Sequence, residues 1–580
     1  MLATKKTLLA VLVSLGLTAC GGSGSDPAPT PTPTPTPTPS NSAPTDVTLS
    51  ASSVMENAPG AEIGSLSVTD ADSGDTHTFS VDDQRFEVDG STLKLVAEQK
   101  LNFESETEIT LNVTATDSAG ASFTKELTLE VGDELDYYGF ESLIPGSSSV
   151  NYSGQIARHL LINDLYNFIG SELGDPDAFE AADTFNSRAE VLDRLMQFYQ
   201  LADTTEYEEV HGSRELLTTT TPDSLQGFLT EVSGSKKDLS EKIAGNDAVG
   251  QHKDWNSEFA GWGATGSTTP EGLVMSLFNE LADNAELELS GTRRQDAEGN
   301  DLPIYLTQDG RDLKQLIQKF LLMSVAYSQG VDDYLDHDTE GKGLLTSNTE
   351  ADCSGACTVL EHQFDEGFGY FGAARDYLDY SDDEVAGKDG RDDWQGHHDT
   401  DGDGAIDFNA EYNFGQSTNA AKRDLGATVA TDFSANAMNA FLQGRKIIAD
   451  AAAAGRELTD DEMTDLLEAR DEALVNWEYS IAATVIHYIN DSHADLSKLA
   501  SDAFSLADLA KHWSEMKGFA LGLQFNRFSP MLEDFEQLHQ LLGDAPVFQG
   551  DVEAYQANLI QARDMLQAAY GFEQQNVENW

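Results

Sequence analysis

The chain has 580 residues, of which 101 are Asp or Glu and 34 are Lys or Arg, so its formal net charge is −67. This charge excludes nucleic acid as a partner, because the phosphate backbone would repel the chain, and it disfavours direct docking on an anionic membrane surface. Hydrophobic residues make up 39% of the chain, which is enough for real cores, and the length allows roughly two to four domains. Such acidity is typical of proteins that stay soluble in salt or bind cations such as calcium.

The N-terminus predicts export. Two lysines precede an apolar run of signal-peptide length, which is too short to remain as a membrane-spanning helix, and the run ends in LTAC. This ending resembles a bacterial lipobox, which implies that residues 1–20 are the signal peptide, cleaved before Cys20, and that the Cys20 thiol is acylated. Because Gly21 rather than Asp follows, the usual sorting rule favours the outer membrane. We expect a lipoprotein of the cell envelope, anchored in the lipid bilayer through Cys20.

Two segments of different character follow. Residues 21–41 are dominated by alternating Pro and Thr, which favours extended polyproline II and predicts a disordered linker that acts as a stalk. From residue 42 to 133 the hydrophobic pattern has period two, in short runs rich in β-branched residues that Gly, Asp and Asn separate. This pattern predicts one small all-β sandwich.

The sandwich region resembles a cadherin repeat. The resemblance rests on the motifs MENAPG, DAD, LNFE and TATD. In that family the acids of these motifs bind calcium at the two ends of the sandwich, which suits a hard cation that needs many oxygen ligands. A solvated rim of acids without metal is the alternative. The calcium ligands that the resemblance implies are Glu56, Asp70, Asp72, Glu104 and Asp117.

From residue 137 to 580 the apolar residues recur at helical spacing, and no strand is expected. The run from 310 to 331 is apolar almost all round, as in a central helix. Later helices are predicted over 419–454, 459–489, 506–525, 531–542 and 552–570. The predicted fold class is therefore multidomain, with a small β-sandwich followed by a large all-α helical bundle.

An acidic loop, residues 399–411, interrupts the helical region with the sequence DTDGDGAIDFNAE. Its spacing is that of a calcium-binding loop, with Gly404 for the sharp turn. The candidate ligands in its first half are Asp399, Asp401, Asp403 and the carbonyl of Ala405. The standard closing Glu at position twelve is replaced by Ala410, so two closures remain open: Glu411 through a one-residue bulge, or Asp407. No strong helix precedes the loop, which favours a structural staple over a sensor.

Three groups of residues in the helical region are candidates for metal binding or for buried polar contacts. Cys353 and Cys357 are expected to form a disulfide in an exported protein; a soft-metal dithiolate is the alternative, although the sequence offers no further soft ligand nearby. Histidine–carboxylate pairs one helical turn apart can hold a first-row transition metal or form buried polar pairs. These pairs are His362 with Glu366, and His512 with Glu515. Three further residues on apolar helices are expected to be satisfied core groups: His159, Glu478 and His487.

Most of the chain after residue 136 resembles a bacterial lipoprotein family, domain of unknown function family 4856. The resemblance rests on NYSGQIARHLLINDLYNFI, LEHQFDEGFGYFG, the acidic loop with its flanks, AATVIHYIN and KHWSEMKGFALGLQFN. That family is similar to the imelysins, helical surface lipoproteins linked to iron uptake that carry an H-x-x-E motif, which His512 and Glu515 match. The resemblance implies iron or another transition metal beside calcium.

Two functions from different classes remain. The first is a calcium-binding surface lipoprotein that acquires or handles a metal, with a membrane transporter as partner. The second is an adhesion module that binds a surface ligand, a polysaccharide or a protein, through the sandwich. No His-Glu-x-x-His helix, Ser-His-Asp set or phosphate loop is evident in the sequence, so no catalysis is expected.

Overall fold

The computed structural model of the protein describes residues 40–103, 105–182, 184–246, 251–387 and 396–580. These residues form a β unit that ends at Gly132 and a helical unit from Asp133 to Trp580. The predicted signal peptide, Cys20, almost all of the predicted linker and Glu104 lie outside the described residues. Within the described part of the chain, no helix is both long enough and apolar enough to cross a membrane.

The β unit is a sandwich of two four-stranded sheets. Its strands are β1 (Asp46–Leu49), β2 (Ser53–Met55), β3 (Glu62–Thr69), β4 (His77–Val81), β5 (Phe86–Asp89), β6 (Thr92–Leu95), β7 (Glu108–Asp117) and β8 (Ser122–Gly132). One sheet has the order β1-β3-β6-β5 and the other β2-β8-β7-β4, and the strands pair antiparallel except β2 with β8. Alternate residues of β7 are buried, beginning at Ile109 and Leu111, because successive side chains of a strand point to opposite faces.

The helical unit is built from sixteen α-helices among the described residues. They are α1 (Ser153–Glu172), α2 (Pro176–Ala182), α3 (Arg188–Tyr199), α4 (Thr204–His211), α5 (Leu229–Val232), α6 (Pro270–Leu289), α7 (Leu313–Leu321), α8 (Val359–Phe371), α9 (Asp382–Ala386), α10 (Gly415–Leu425), α11 (Phe433–Ala453), α12 (Asp460–Leu496), α13 (Leu506–Gly522), α14 (Phe535–Leu542), α15 (Val552–Tyr570) and α16 (Gln574–Asn579). One large hydrophobic core runs through them, and a small separate cluster is formed by Leu302, Leu306 and Ala510. The sandwich followed by helices confirms the predicted fold class.

The predicted central helix is not a regular α-helix along its whole length. After α7 the chain continues in two π-helical segments, Leu322–Tyr327 and Gly330–Tyr334, all of whose residues are buried. A side chain at Gly330 would place its Cβ 2.7 Å from the ring of Trp477, so only glycine allows this close approach of α12. Such π turns are rare and often mark functional or strained places in helices.

Two predicted elements of the helical unit are wrong in detail. The helix predicted over 419–454 is broken between α10 and α11, because the Asp424 carboxylate accepts hydrogen bonds from the amides of Phe433 and Ser434 and starts a new helix there. The unit also contains two short paired strands, β9 (Ala351–Asp352) and β10 (Cys357–Thr358), where no strand was expected. Strands of two residues are too short to produce a periodic pattern.

A buried ion-pair network joins α8 to α11. Arg445, fully buried, donates to Asp365 Oδ1 at 2.7 Å and to Glu361 Oε1 at 3.0 Å. It also donates to the hydroxyl of Ser149 at 2.8 Å, and the Tyr138 hydroxyl donates to Asp365 at 3.0 Å. Burial raises the pKa of Asp365 against the attraction of Arg445. The arginine is therefore the counter-charge on which two buried carboxylates depend.

Replacing that counter-charge is expected to destabilise the helical unit strongly. Arg445→Ala leaves two buried carboxylates without a cation, and we expect the free energy of unfolding to fall by about 3–5 kcal/mol, measured by denaturant unfolding. The matched control is Lys446→Ala, because Lys446 is half-exposed and pairs on the surface with Asp450 at 2.9 Å. It should change stability by less than about 0.5 kcal/mol; equal losses in the two variants would contradict the assignment.

Candidate metal centres

The acidic loop gathers three carboxylates. Asp399, Asp401 and Asp403 each contribute an oxygen that lies within 4.8 Å of the other two. The loop's own amides hold this shape: Gly404 N donates to Asp399 Oδ2 at 2.9 Å, and Ala405 N donates to Asp403 Oδ1 at 2.8 Å. Gly404 has a φ of +92°, a conformation that glycine adopts without strain. The second oxygen of Asp399, Oδ1, is buried and accepts no hydrogen bond from the described residues.

The two closures left open by the sequence differ in the structure. Glu411 folds back across the loop, where Oε1 accepts from Thr400 N at 2.7 Å and Oε2 accepts from Asp407 N at 2.8 Å. Asp407 instead turns outward, and its Oδ1 accepts from the side-chain amide of Gln226 at 2.7 Å. Burial raises the pKa of Glu411. Of the two candidates, Glu411 is the residue that lies across the loop.

The acidic loop is attached to the helical unit on two sides. On one side Ile406, fully buried, exchanges backbone hydrogen bonds with Asp223 O at 3.0 Å and Leu225 N at 2.8 Å. On the other side the Thr400 hydroxyl donates to Asp376 at 2.9 Å, and His398 Nδ1 lies 3.1 Å from the same carboxylate. Burial lowers the pKa of His398, but the Asp376 hydrogen bond and charge outweigh it and the pKa is raised. The loop therefore fastens distant segments together.

A second acidic cluster lies at one end of the sandwich. Asp70, Asp75 and Asp117 each provide an oxygen within 4.8 Å of the others. The backbone amide of Asp72 lowers the pKa of Asp70, and the Asn41 side chain lowers that of Asp117. Asp75 Oδ2 is buried without a hydrogen-bond partner. Asp75 was missed by the sequence analysis, although it stands five residues after the first Asp of the DAD motif.

The remaining sandwich residues are divided between its two ends. Asp72 accepts a hydrogen bond from Ser42 N at 2.6 Å, at the end where β1 begins. Glu56 is 1% exposed and its amide donates to Gly132 O at 3.1 Å, where β8 ends. Because β8 runs antiparallel to β7, which ends at Asp117, these are opposite ends of the sandwich. This division agrees with the cadherin arrangement.

Two histidines converge on one carboxylate between α12 and α13. His487 Nε2 lies 3.4 Å from Asp491 Oδ2, and His512 Nε2 lies 3.8 Å from the same oxygen. His512 Nδ1 is 2.7 Å from Asp495 Oδ2. Burial lowers the pKa of His512, but Asp495 and Asp491 outweigh it and raise the pKa. We name these four residues, His487, Asp491, Asp495 and His512, the His512 cluster.

Among the described residues, no ion pair joins His512 to Glu515. Glu515 Oε1 lies 3.6 Å from the ammonium of Lys319, and burial together with the Glu515 charge raises the pKa of Tyr488. Lys319 is largely buried and needs a counter-charge there, which draws Glu515 away. The sequence analysis missed Asp491 and Asp495. Their spacing of four and eight residues from His487, which puts all three on one helix face, is the signal that could have found them.

In the other predicted pair, His362 lies closer to Asp352 than to Glu366. His362 Nδ1 lies 3.0 Å from Asp352 Oδ2, whereas His362 Nε2 lies 3.9 Å from Glu366 Oε1. The disulfide between Cys353 and Cys357 is confirmed, with 5.4 Å between the Cα atoms.

Of the three residues expected to be satisfied core groups, two are buried with partners. His159 Nε2 lies 3.1 Å from Tyr370 O, and burial lowers the pKa of His159 to about 4. Glu478 accepts from the hydroxyls of Tyr327 at 2.8 Å and Tyr570 at 2.7 Å. His487 differs, because its side chain is 28% exposed.

The comparisons with known families agree with this architecture. Residues 50–132 match the cadherin domain, so the class of protein is a cadherin-type sandwich followed by a helical domain. Residues 136–529, more than half of the chain, match the domain of unknown function DUF4856, and the chain belongs to this family. No curated protein matches the chain. The resemblances to the cadherin domain and to DUF4856 are confirmed.

The buried histidine of α1 predicts a pH dependence of stability. The pKa of His159 is about 4 in the folded state and roughly 6.5 when unfolded. The unfolded chain therefore binds a proton that the folded chain does not, and stability falls as the pH drops below 6.5. Between pH 7 and pH 5 this histidine should cost about 2 kcal/mol. Over the same pH range, the free energy of unfolding of His159→Gln should fall by about 2 kcal/mol less than that of the unchanged protein, measured by denaturant unfolding. Parallel plots of unfolding free energy against pH for the two proteins would contradict this.

Proposed function

We propose that the protein is a calcium-binding lipoprotein of the cell envelope, anchored in the outer membrane through acylated Cys20, whose helical unit handles a transition metal such as iron. The observation that carries the calcium part is the convergence of Asp399, Asp401 and Asp403. Within the described residues, no lysine or arginine forms an ion pair with these three carboxylates. A divalent cation is the natural counter-charge for such a cluster.

Calcium fits the donor set of the acidic loop better than other common ions. The available donors are all oxygens: three carboxylates, the Ala405 carbonyl and Glu411, and calcium accepts six to eight such ligands in flexible geometry. Asp399 Oδ1 is buried and unpartnered, as a ligand atom would be. Glu411 accepts hydrogen bonds from the amides of Thr400, Asp401 and Asp407, and its carboxylate has further lone pairs with which it can bind the ion.

The role that follows for this calcium is a staple. The acidic loop fastens the segment around Asp223 and Leu225 on one side and Asp376 with His398 on the other. An ion that binds only the folded loop stabilises the whole unit by mass action. Among the described residues, the last helix before the loop is α9, which has five residues and is short for an entering helix that the ion could swing open.

Calcium titration of the purified protein tests this assignment. We expect binding heat and a rise in melting temperature, equivalent to about 2.7 kcal/mol at one hundred times the dissociation constant. Asp401→Asn with Asp403→Asn should abolish the rise that the loop supplies, and Asp70→Asn should remove only the sandwich contribution. Asp502→Asn, an exposed acid outside both clusters, is the matched control. A full response in the double loop variant would contradict the assignment.

The His512 cluster supports the transition-metal part of the proposal. Two histidines and one carboxylate are the donor set of many non-haem iron(II) sites. Asp495, bound to His512 Nδ1, is the outer carboxylate that commonly fixes a ligating imidazole and leaves its Nε2 for the metal. The side chains of His487 and His512 are 28% and 21% exposed, so an ion reaches them from solvent. The metal would be cargo, passed to a membrane transporter, rather than a catalytic centre.

Iron(II) binding under anaerobic conditions tests the cluster. His512→Gln and Asp491→Asn should each weaken binding at least tenfold, the usual scale for losing a ligand or its support. Glu515→Gln should leave binding unchanged, because the nearest charged partner of Glu515 in the described residues is Lys319, at 3.6 Å. Calcium binding should persist in all three variants. Loss of iron in Glu515→Gln with retention in Asp491→Asn would favour the H-x-x-E pair and contradict the cluster.

An adhesion function is the second candidate, and one observation favours it. The acids Asp70, Asp75 and Asp117 gather at an end of the sandwich, with a buried, unpartnered oxygen on Asp75. Calcium there would stiffen the sandwich end and its preceding segment for contact with a polysaccharide or protein ligand. In the calcium titration, the Asp70→Asn variant distinguishes calcium binding at this end of the sandwich from calcium binding in the acidic loop.

A further inference from the structure

The disulfide hairpin, residues 351–358, lies beside a histidine. The hairpin consists of β9, the turn and β10, and α8 follows it directly. The sulfur atoms of Cys353 and Cys357 and a ring nitrogen of His362 all lie within 4.8 Å of one another. No further soft ligand was expected near the two cysteines, and the structure places the imidazole of His362, a nitrogen donor that suits zinc, beside them.

We propose that reduction of the Cys353–Cys357 disulfide creates a Zn²⁺ site formed by the two thiolates and His362. Two cysteines and one histidine are donors that zinc binds in tetrahedral geometry, with water as the fourth ligand. In the disulfide the sulfurs carry no charge and are poor ligands, since the thiolate is the form that binds metal. The site therefore cannot bind a metal in the oxidised protein and can bind one in the reduced protein.

The chemistry of opening balances with a dithiol reductant. The S–S bond breaks, and each sulfur takes up one electron and one proton, while the two sulfurs of the dithiol form their own disulfide. Zinc then replaces the two thiol protons as the metal–sulfur bonds form, and these protons pass to solvent. No other oxidant or reductant is needed.

The backbone keeps the two sulfurs together without the disulfide. Cys357 pairs with Asp352, and Thr358 with Ala351, in the antiparallel hairpin. Within the turn, Ala356 N donates to Cys353 O at 3.2 Å. These hydrogen bonds do not involve sulfur, so reduction does not remove them.

The helix that carries His362, α8, is also held in place without the disulfide. Thr358 and Glu361 form a capping box at the start of α8, and Glu361 is paired with the buried Arg445 at 3.0 Å. The first turn of α8, which positions His362 against the hairpin, is therefore anchored in the core.

His362 is already oriented for a metal. Its Nδ1 lies 3.0 Å from Asp352 Oδ2, which is the outer carboxylate that ligating histidines commonly hold. Its Nε2 lies 3.9 Å from Glu366 Oε1, and Glu366 is itself held by the side-chain amide of Gln155 at 2.8 Å. Cys353 and His362 are half-buried while Cys357 is buried, so a small reductant and an ion have access from one side.

This site differs from the proposed calcium and iron sites in its donors and in its dependence on redox state. Thiolates select thiophilic ions and disfavour calcium. The inference stands independently of the proposed function, because it uses none of the residues of the acidic loop or the His512 cluster.

The test uses the full chain, with Co²⁺ as a spectroscopic substitute for Zn²⁺. The protein is reduced with a dithiol, desalted without oxygen and titrated in parallel with the oxidised protein. We expect reduction to add one Co²⁺ to the protein, marked by sulfur-to-cobalt charge-transfer absorption, and Zn²⁺ to displace it. The oxidised protein should show no sulfur-to-cobalt absorption, and any Co²⁺ that the His512 cluster holds should be the same in both states. Circular dichroism of the reduced protein should keep the helical signal of the oxidised one.

Variants separate this site from other thiols and histidines. Cys353→Ser with Cys357→Ser should bind no cobalt with sulfur absorption in either state, and a signal that persists there would come from Cys20 and overturn the proposal. His362→Gln, which still forms the disulfide, should weaken the sulfur-absorbing cobalt site at least tenfold after reduction. His493→Gln, at a part-buried histidine outside all the proposed sites, should leave that site unchanged. Unchanged affinity in His362→Gln, sulfur absorption in oxidised protein, or a reduced chain that unfolds and binds no cobalt would each overturn it.

Discussion

Carboxylates that are crowded or buried need a counter-charge or a set of hydrogen-bond donors, and this need shapes the whole chain. With 101 acidic and 34 basic residues, the protein cannot pair each acid with its own lysine or arginine. The few buried cations are therefore placed where the fold depends on them, as Arg445 is between Asp365 and Glu361. Elsewhere the acids are held by amides and hydroxyls, or are left in clusters that a metal ion would neutralise.

The buried acids show these solutions side by side. Glu478 is fully buried and satisfied by neutral donors, the hydroxyls of Tyr327 and Tyr570 and the side-chain amide of Asn526. Its oxygens are occupied, which makes it a structural group of the core. Asp399 differs, because one oxygen accepts from Gly404 N and the other is buried without a donor. An unsatisfied buried oxygen is costly, and a bound cation removes that cost.

Much of the fold was predictable from the sequence because its periods are local. Strand alternation from 42 to 133 and helical spacing thereafter gave the right classes, and the acidic loop was recognised from the spacing of Asp399, Asp401 and Asp403. Partnership across helices was not predictable. His512 meets Asp491 and Asp495 only because α13 packs on α12, and Glu515 is drawn to Lys319 from α7. Likewise the break between α10 and α11 follows from Asp424 reaching the amide of Phe433, which no periodicity records.

The three metal-binding arrangements argued for the helical unit use different donor chemistry, and this difference lets them coexist. The acidic loop offers only oxygens, which a hard ion such as calcium prefers. The His512 cluster adds imidazole nitrogen, which favours first-row transition metals over calcium. The pair Cys353 and Cys357 with His362 adds sulfur, which favours zinc and related soft ions but only after reduction. Calcium prefers the oxygens of the acidic loop and binds imidazole poorly, and the thiolates of the third site form only after reduction. Calcium would therefore fill the acidic loop without blocking either of the other sites.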